Sequence, residues 1–177
     1  MRLNPHPPIA SRWAPPSPAL RERGYRLARA VATGCGVGLL PGAPGTWASL
    51  AALPCAWLLV PLGGKAVLAV AAVAAFAAGC WAAGVVARAS GRSDPGFIVI
   101  DEIAAQWLVL LAVPLHPAWY AAAFLLFRLF DIAKPPPIRW VERRVAGGLG
   151  VMLDDVAAAL YVLAILGIAE GALGVRP

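Results

Sequence analysis

The stretch AVLAVAAVAAFAAGCWAAGVVA, residues 66–87, runs 22 positions without a charged side chain. As an α-helix it would be about 33 Å long, enough to cross a bilayer hydrocarbon core of about 30 Å. Four further apolar segments accompany it, at residues 47–60, 100–113, 118–131 and 152–173. Turn signals separate them: a Gly-Gly-Lys turn at 63–65, Ser93-Asp94-Pro95-Gly96, the Pro-bounded loop 114–117, and Pro135-Pro136-Pro137. Pro54 is expected to kink the first segment. Segments 47–60, 100–113 and 118–131 are short for complete crossings, so re-entrant or tilted helices are expected among them. The pattern predicts an all-α, polytopic helical membrane protein with about four to five apolar helices.

Composition agrees. Hydrophobic residues make up 60% of the 177 and charged residues 14%, with a mean hydropathy of +0.74, outside the range of ordinary soluble domains. A soluble all-helical protein with a very apolar core is the competing class. No internal repeat marks a second unit. The chain divides into a basic, Pro-rich arm at residues 1–24, expected to be disordered, and one helical domain at 25–177, which opens on a short basic amphipathic turn at 26–32. Arg2, Arg12, Arg21, Arg23, Arg26 and Arg29 all precede the first apolar segment and supply much of the net charge of +6. No aromatic-basic interleaving or nucleic-acid motif follows them. They read as positive-inside topology and attraction to anionic lipid, with no nucleic-acid partner. Cys35, Cys55 and Cys80 show no CxxC spacing and read as small buried hydrophobes.

The acids are the informative residues. Nine serve the whole chain, and Asp101, Glu102, Asp131, Asp154 and Asp155 sit at three junctions where apolar segments begin or end. Carboxylates are costly beside hydrocarbon and mark functional sites there. With the arm on the cytoplasmic side, alternating crossings put Arg88, Arg92 and the basic loop from Lys134 to Arg144 on that same face. All three acidic junctions then fall at cytoplasmic helix ends. Oxygen ligands without His or Cys suit Mg²⁺, Mn²⁺ or Ca²⁺ better than zinc. Adjacent helical residues point about 100° apart, so one acid of each pair is expected to ligate while its neighbour caps the helix or orients water. Complementing the helix dipole is the structural alternative for each pair.

Cations flank these acids. Arg128 and Asp131 are spaced for an ion pair within one helix. Lys134 precedes Pro135 and is expected to turn out of its helix. Arg128, Lys134 and Arg139 could together grip a phosphate, whereas Arg143 and Arg144 read as interfacial residues. Gly42-Ala43-Pro44-Gly45-Thr46 leads directly into a helix, where free N–H groups near Thr46 and Ser49 make an anion site. Acids, cations and a headgroup-level location point to phosphate chemistry on a lipid. No Cys is followed six positions later by Arg, no DxD pair exists, and neither His6 nor His116 lies near the acids. The residues of the thiolate, haloacid and phosphohistidine phosphatase schemes are therefore missing.

Four blocks carry a resemblance: GLLPGAPGTWASL at 38–50, IDEIAAQW at 100–107, FRLFDIAKPPPIRWVE at 127–142 and GGLGVMLDDVAAALY at 147–161. In order and spacing they resemble the phosphatidylglycerophosphatase A family. The resemblance implies a mainly helical, Mg²⁺-dependent phosphatase of the bacterial inner membrane, with its active site facing the cytoplasm. Its substrate would be an anionic phospholipid, phosphatidylglycerophosphate, converted to phosphatidylglycerol and inorganic phosphate. The metal set would be Asp101, Glu102, Asp131, Asp154 and Asp155, with Glu102, Asp131 and Asp155 catalytic. Arg128, Lys134, Arg139, Gly45 and Thr46 would bind substrate. Ala48, Ala105 and Ala159 stand where the family has glycine, and Pro136 where it has Trp; each Gly-to-Ala change adds a methyl at a close approach. The rival class is a small membrane cation-binding or transport protein using the same carboxylates. The sequence carries no signal for oligomeric state.

Overall fold

The computed structural model describes residues 18–136, 138 and 144–173. Among them are five helices and no strand: α1 (Pro18–Ala32), α2 (Pro44–Ser90), α3 (Ile100–Leu110), α4 (Pro117–Ala133) and α5 (Gly147–Leu173). A 3₁₀ turn, Val37–Leu39, precedes α2, in the Gly-rich stretch whose composition forbids a regular helix. α1 starts inside the stretch read as a disordered arm. Residues 1–17 of that arm lie outside the described residues.

The two apolar segments at 47–60 and 66–87 are arms of α2. They meet at Gly63 and Gly64, which leave helical backbone geometry. Gly64 takes φ 68° and ψ −166°, a conformation that only glycine adopts easily. The backbone keeps helical dihedrals through Pro54, and the break within α2 falls at the glycines.

Among the described residues, two helices are long and apolar enough to cross a membrane, α2 and residues 147–169 of α5. That is fewer than the four to five expected. The eleven residues of α3 and seventeen of α4 rise about 16 and 25 Å, short of a bilayer core. Pro114, Pro117 and the left-handed Lys134 cut both helices off. The outer surface is nonetheless apolar: Leu58, Leu62, Val70, Leu125, Ile132 and Ile168 are each more than half exposed. Such a surface suits lipid rather than water. Cys35 and Cys55 are exposed as well, since a side chain facing lipid need not be buried in protein to escape water.

Two apolar clusters hold the helices together. Ala56, Leu68, Val109, Phe127 and Val162 join α2, α3, α4 and α5. Ala28, Ala83, Val86, Ile98 and Met152 tie α1 and the α2–α3 loop to α2 and α5. Ala48, Ala105 and Ala159 are all buried, so the methyls that replace glycine are absorbed by the core.

α5 begins five residues before the expected start at 152. Its glycines form a contact face: a Cβ on Gly148 would lie 1.9 Å from the Cys80 carbonyl oxygen and 2.6 Å from the Gly84 nitrogen. Glycine costs a helix about 1 kcal/mol relative to alanine, and here it permits backbone-to-backbone packing of α5 on α2. Asp154 and Asp155 consequently sit in the third turn of α5, beyond the reach of its N-terminal dipole.

Candidate active site

α3 is fixed at its start by the Val99 N–H, which donates to the Ala32 carbonyl at 2.8 Å. Further along, Trp107 Nε1 donates to the Ala52 carbonyl at 2.9 Å and pins α3 to α2. Asp101 and Glu102 occupy the first turn of α3, and the third turn of α5 brings Asp155 to meet them. One carboxylate oxygen from each of the three lies within 4.8 Å of the others. Both members of the α3 pair thus reach one point, against the expectation that one would turn away. The longer Glu102 side chain makes up the angular difference.

Asp101 and Asp155 are 8% and 3% exposed. Asp101 Oδ1, Glu102 Oε2 and Asp155 Oδ2 are buried with no hydrogen-bond partner. Buried groups in native proteins rarely stay so. On α3, itself too short to span, burial pushes the Asp101 carboxyl well above the usual carboxylate range, and the charge of Glu102 adds to the effect. Burial also raises Glu102. Three converging, unsatisfied carboxylates are the donor set of a hard divalent cation.

The other two acids are matched to cations. Arg128 Nη1 lies 2.7 Å from Asp131 Oδ2 and 3.7 Å from Glu102 Oε1, so the guanidinium bridges the local pair to the cluster. It also donates to Ser49 Oγ at 3.4 Å, and that hydroxyl donates to the Gly45 carbonyl at 2.9 Å. Lys134 ends α4 in the left-handed conformation, turned out of the helix as Pro135 requires. Its Nζ lies 2.7 Å from Asp154 Oδ2, while Asp154 Oδ1 accepts the Asp155 N–H at 3.0 Å. The α5 pair therefore splits: Asp155 enters the cluster, while Asp154, instead of capping the helix or orienting water, links Lys134 to the backbone beside it.

The Pro-Gly-Thr turn closes the site from above. Pro44 occupies the first turn of α2, with Gly45 and the half-buried Thr46 following it. A Cβ on Gly45 would lie 1.9 Å from Glu102 Oε1 and 3.2 Å from Arg128 Nη1. Glycine is required there because the helix start rests directly on the acid and its cation. First-turn N–H groups lack intrahelical acceptors. Arg139 lies outside the described residues.

Two residues escaped the sequence reading. Asp94, taken only as part of a turn, acts electrostatically on Asp101 and lines a cavity of about 190 Å³ together with Ser93, Gly147 and Asp154. Its place as the one acid in the turn between α2 and α3, a few residues before Asp101, was the available signal. Gln106, inside the IDEIAAQW block, is completely buried with both amide atoms unpartnered. Its spacing of four from Glu102 was the signal there.

A profile of the family Phosphatidylglycerophosphatase A matches residues 30–170, a span that holds every residue of this site. The chain belongs to the phosphatidylglycerophosphatase A family. It is 40% identical over 137 residues to the Phosphatidylglycerophosphatase A of Haemophilus influenzae, covering 77% of this chain and 84% of the relative. Against the Escherichia coli protein of the same name it is 39% identical over 137 residues, covering 77% and 79%. A third relative, from Bacteroides thetaiotaomicron, is named as a candidate phosphatidylinositol-3-phosphatase; it is 40% identical over 152 residues, covering 81% and 94%. No solved structure matches the chain. Family membership makes this phosphatidylglycerophosphatase A homologue a phosphatase, and the two span-length apolar helices agree with membrane association.

Proposed function

We propose that the protein hydrolyses phosphatidylglycerophosphate to phosphatidylglycerol and inorganic phosphate, with Mg²⁺, at the cytoplasmic face of a bacterial inner membrane. The observation that carries this reading is the buried triad Asp101, Glu102 and Asp155, with carboxylate oxygens within 4.8 Å of one another and a guanidinium at its edge. The orphaned buried oxygens fit a hard cation. Asp101, Glu102 and Asp155 would hold Mg²⁺, which supplies a Lewis acid for a phosphoryl oxygen and lowers the pKa of bound water.

The chain's own residues do the rest. Arg128 presents its guanidinium between Asp131 and Glu102 and neutralises charge on the phosphoryl oxygens. Asp131 holds that guanidinium in place. The N–H groups of Gly45 and Thr46 at the start of α2 receive a phosphate oxygen. Lys134, positioned by Asp154, adds a second positive charge at the rim, and Arg139 is assigned the same task. Hydrolysis places a water oxygen on phosphorus and breaks the ester P–O bond. One water proton goes to a carboxylate of the site, which then returns it to the departing glycerol oxygen. The same cations count against the transport reading, since an ion path has no use for two phosphate-binding side chains among its acids.

The test is phosphate release from phosphatidylglycerophosphate in detergent micelles, with Mg²⁺ and with EDTA. Release that requires Mg²⁺ is expected. A folded protein that releases no phosphate from this lipid would overturn the reading.

A further inference from the structure

Gln106 has no place in the mechanism above, yet it is the least satisfied polar residue described. It is 0% exposed, and neither Nε2 nor Oε1 has a partner. It lies one helical turn beyond Glu102 on the same face of α3. Glu102 Oε2 is also buried and unpartnered, and so is Arg128 Nε. Of these groups, Glu102 and Arg128 approach within 3.7 Å between α3 and α4, and helical spacing puts Gln106 one turn from Glu102. Two are donors and two are acceptors, counting both atoms of the amide. Buried polar groups left without partners destabilise a fold, and an internal water typically serves about three such groups at once.

We infer that Gln106 is a positioning residue: its amide, through a buried water shared with Glu102 Oε2 and Arg128 Nε, fixes the Glu102 carboxylate against the cluster. The inference rests on the phosphatase reading for its activity readout. It predicts that Gln106 acts on turnover without touching substrate. A purely structural glutamine predicts the reverse, because replacing an unsatisfied amide by an apolar isostere stabilises the core and leaves turnover alone.

The experiment uses the full-length protein in detergent as wild type, Gln106→Met and Gln106→Glu. For each, kcat and KM for phosphate release are measured, with melting temperature in EDTA and its rise on adding Mg²⁺. Gln106→Met is expected to fold but to melt in EDTA below wild type, because Glu102 Oε2 and Arg128 Nε lose their shared partner. Its kcat should fall about 10- to 100-fold, the usual range for groups that orient ligands, with KM within about twofold and a smaller Mg²⁺-induced rise. Gln106→Glu keeps the shape, and as a neutral acid keeps one donor and one acceptor, so it should recover most of kcat. Wild-type kcat and Mg²⁺ rise in Gln106→Met would overturn the inference, as would equal losses in both variants that track the folded fraction. If Gln106→Met does not fold, Gln106→Asn, which draws the amide back by one methylene, carries the same test. If wild type itself released no phosphate, the proposed function would fall, and equal Mg²⁺-induced rises in wild type and Gln106→Met would overturn the inference separately.

Discussion

The two adjacent acid pairs, Asp101 with Glu102 on α3 and Asp154 with Asp155 on α5, look alike in sequence and behave differently in the fold. The first pair sits at a helix start and sends both carboxylates into the cluster. The second lies in the third turn of a long helix and divides: Asp155 joins the cluster, while Asp154 is taken by Lys134 and a backbone N–H. What separates them is the neighbouring helix. α4 ends in a lysine 2.7 Å from Asp154, whereas its cation beside the first pair, Arg128, is held by Asp131 at 2.7 Å and stands 3.7 Å from Glu102. Local spacing chooses which acids are near, and the cations supplied by other helices choose which remain available for a metal.

Substitutions can break or sharpen that contrast. Asp155→Asn removes a cluster member and should cut phosphate release by more than about 100-fold, beyond the range of groups that only support ligands. Gly45→Ala comes next. Its methyl would meet Glu102 Oε1 at 1.9 Å, and displacement of a site group by about 1 Å can cost about 100-fold, read as a fall in kcat in a protein that still folds. Asp154→Asn releases only the positioning contact to Lys134, and about a tenfold loss of kcat is expected. Equal losses in the two aspartate variants would erase the difference between the pairs.

Smaller effects fall on stability. Gly148→Ala forces a methyl against the Cys80 carbonyl and should destabilise by about 1–3 kcal/mol, the usual cost of overpacking, seen as a lower melting temperature. Metal-free protein should also respond to pH. Burial raises Asp101 and Glu102 above their ordinary values, so the folded state keeps protons that the unfolded chain has already lost. Their contribution is fully present below the unfolded pKa and is lost as pH rises through the raised folded pKa. In EDTA the protein should therefore melt higher at pH 5 than at pH 8. Excess Mg²⁺ should shrink that gap, and a gap of the opposite sign would contradict the burial of uncompensated acids.

Much of the site was legible because its chemistry is sparse. With nine acids in the whole chain, five at segment ends could be singled out, and the family resemblance rests on the same blocks. Lys134 turning out of α4 followed from Pro135 alone. Other features depended on tertiary contacts. The glycines at 147–150 fell outside the segment expected from residue 152, because their reason for being glycine, contact with Cys80 and Gly84, lies about 65 positions away. The same contact moved Asp154 and Asp155 from a helix start to a helix interior. Two span-length helices stand among the described residues where about four to five apolar helices were expected, and the shortness of segments 100–113 and 118–131 was itself legible in the sequence. Gln106 passed unnoticed because a single amide in an apolar run shows its lack of partners only once the neighbours are placed.

The most direct measurement is Mg²⁺ affinity in detergent, by calorimetric titration of wild type, Asp155→Asn and Asp154→Asn. The expected result is saturable binding to wild type, abolished in Asp155→Asn and kept within about tenfold in Asp154→Asn. Wild-type affinity in Asp155→Asn, or equal loss in both variants, would contradict the assignment of the metal to Asp101, Glu102 and Asp155.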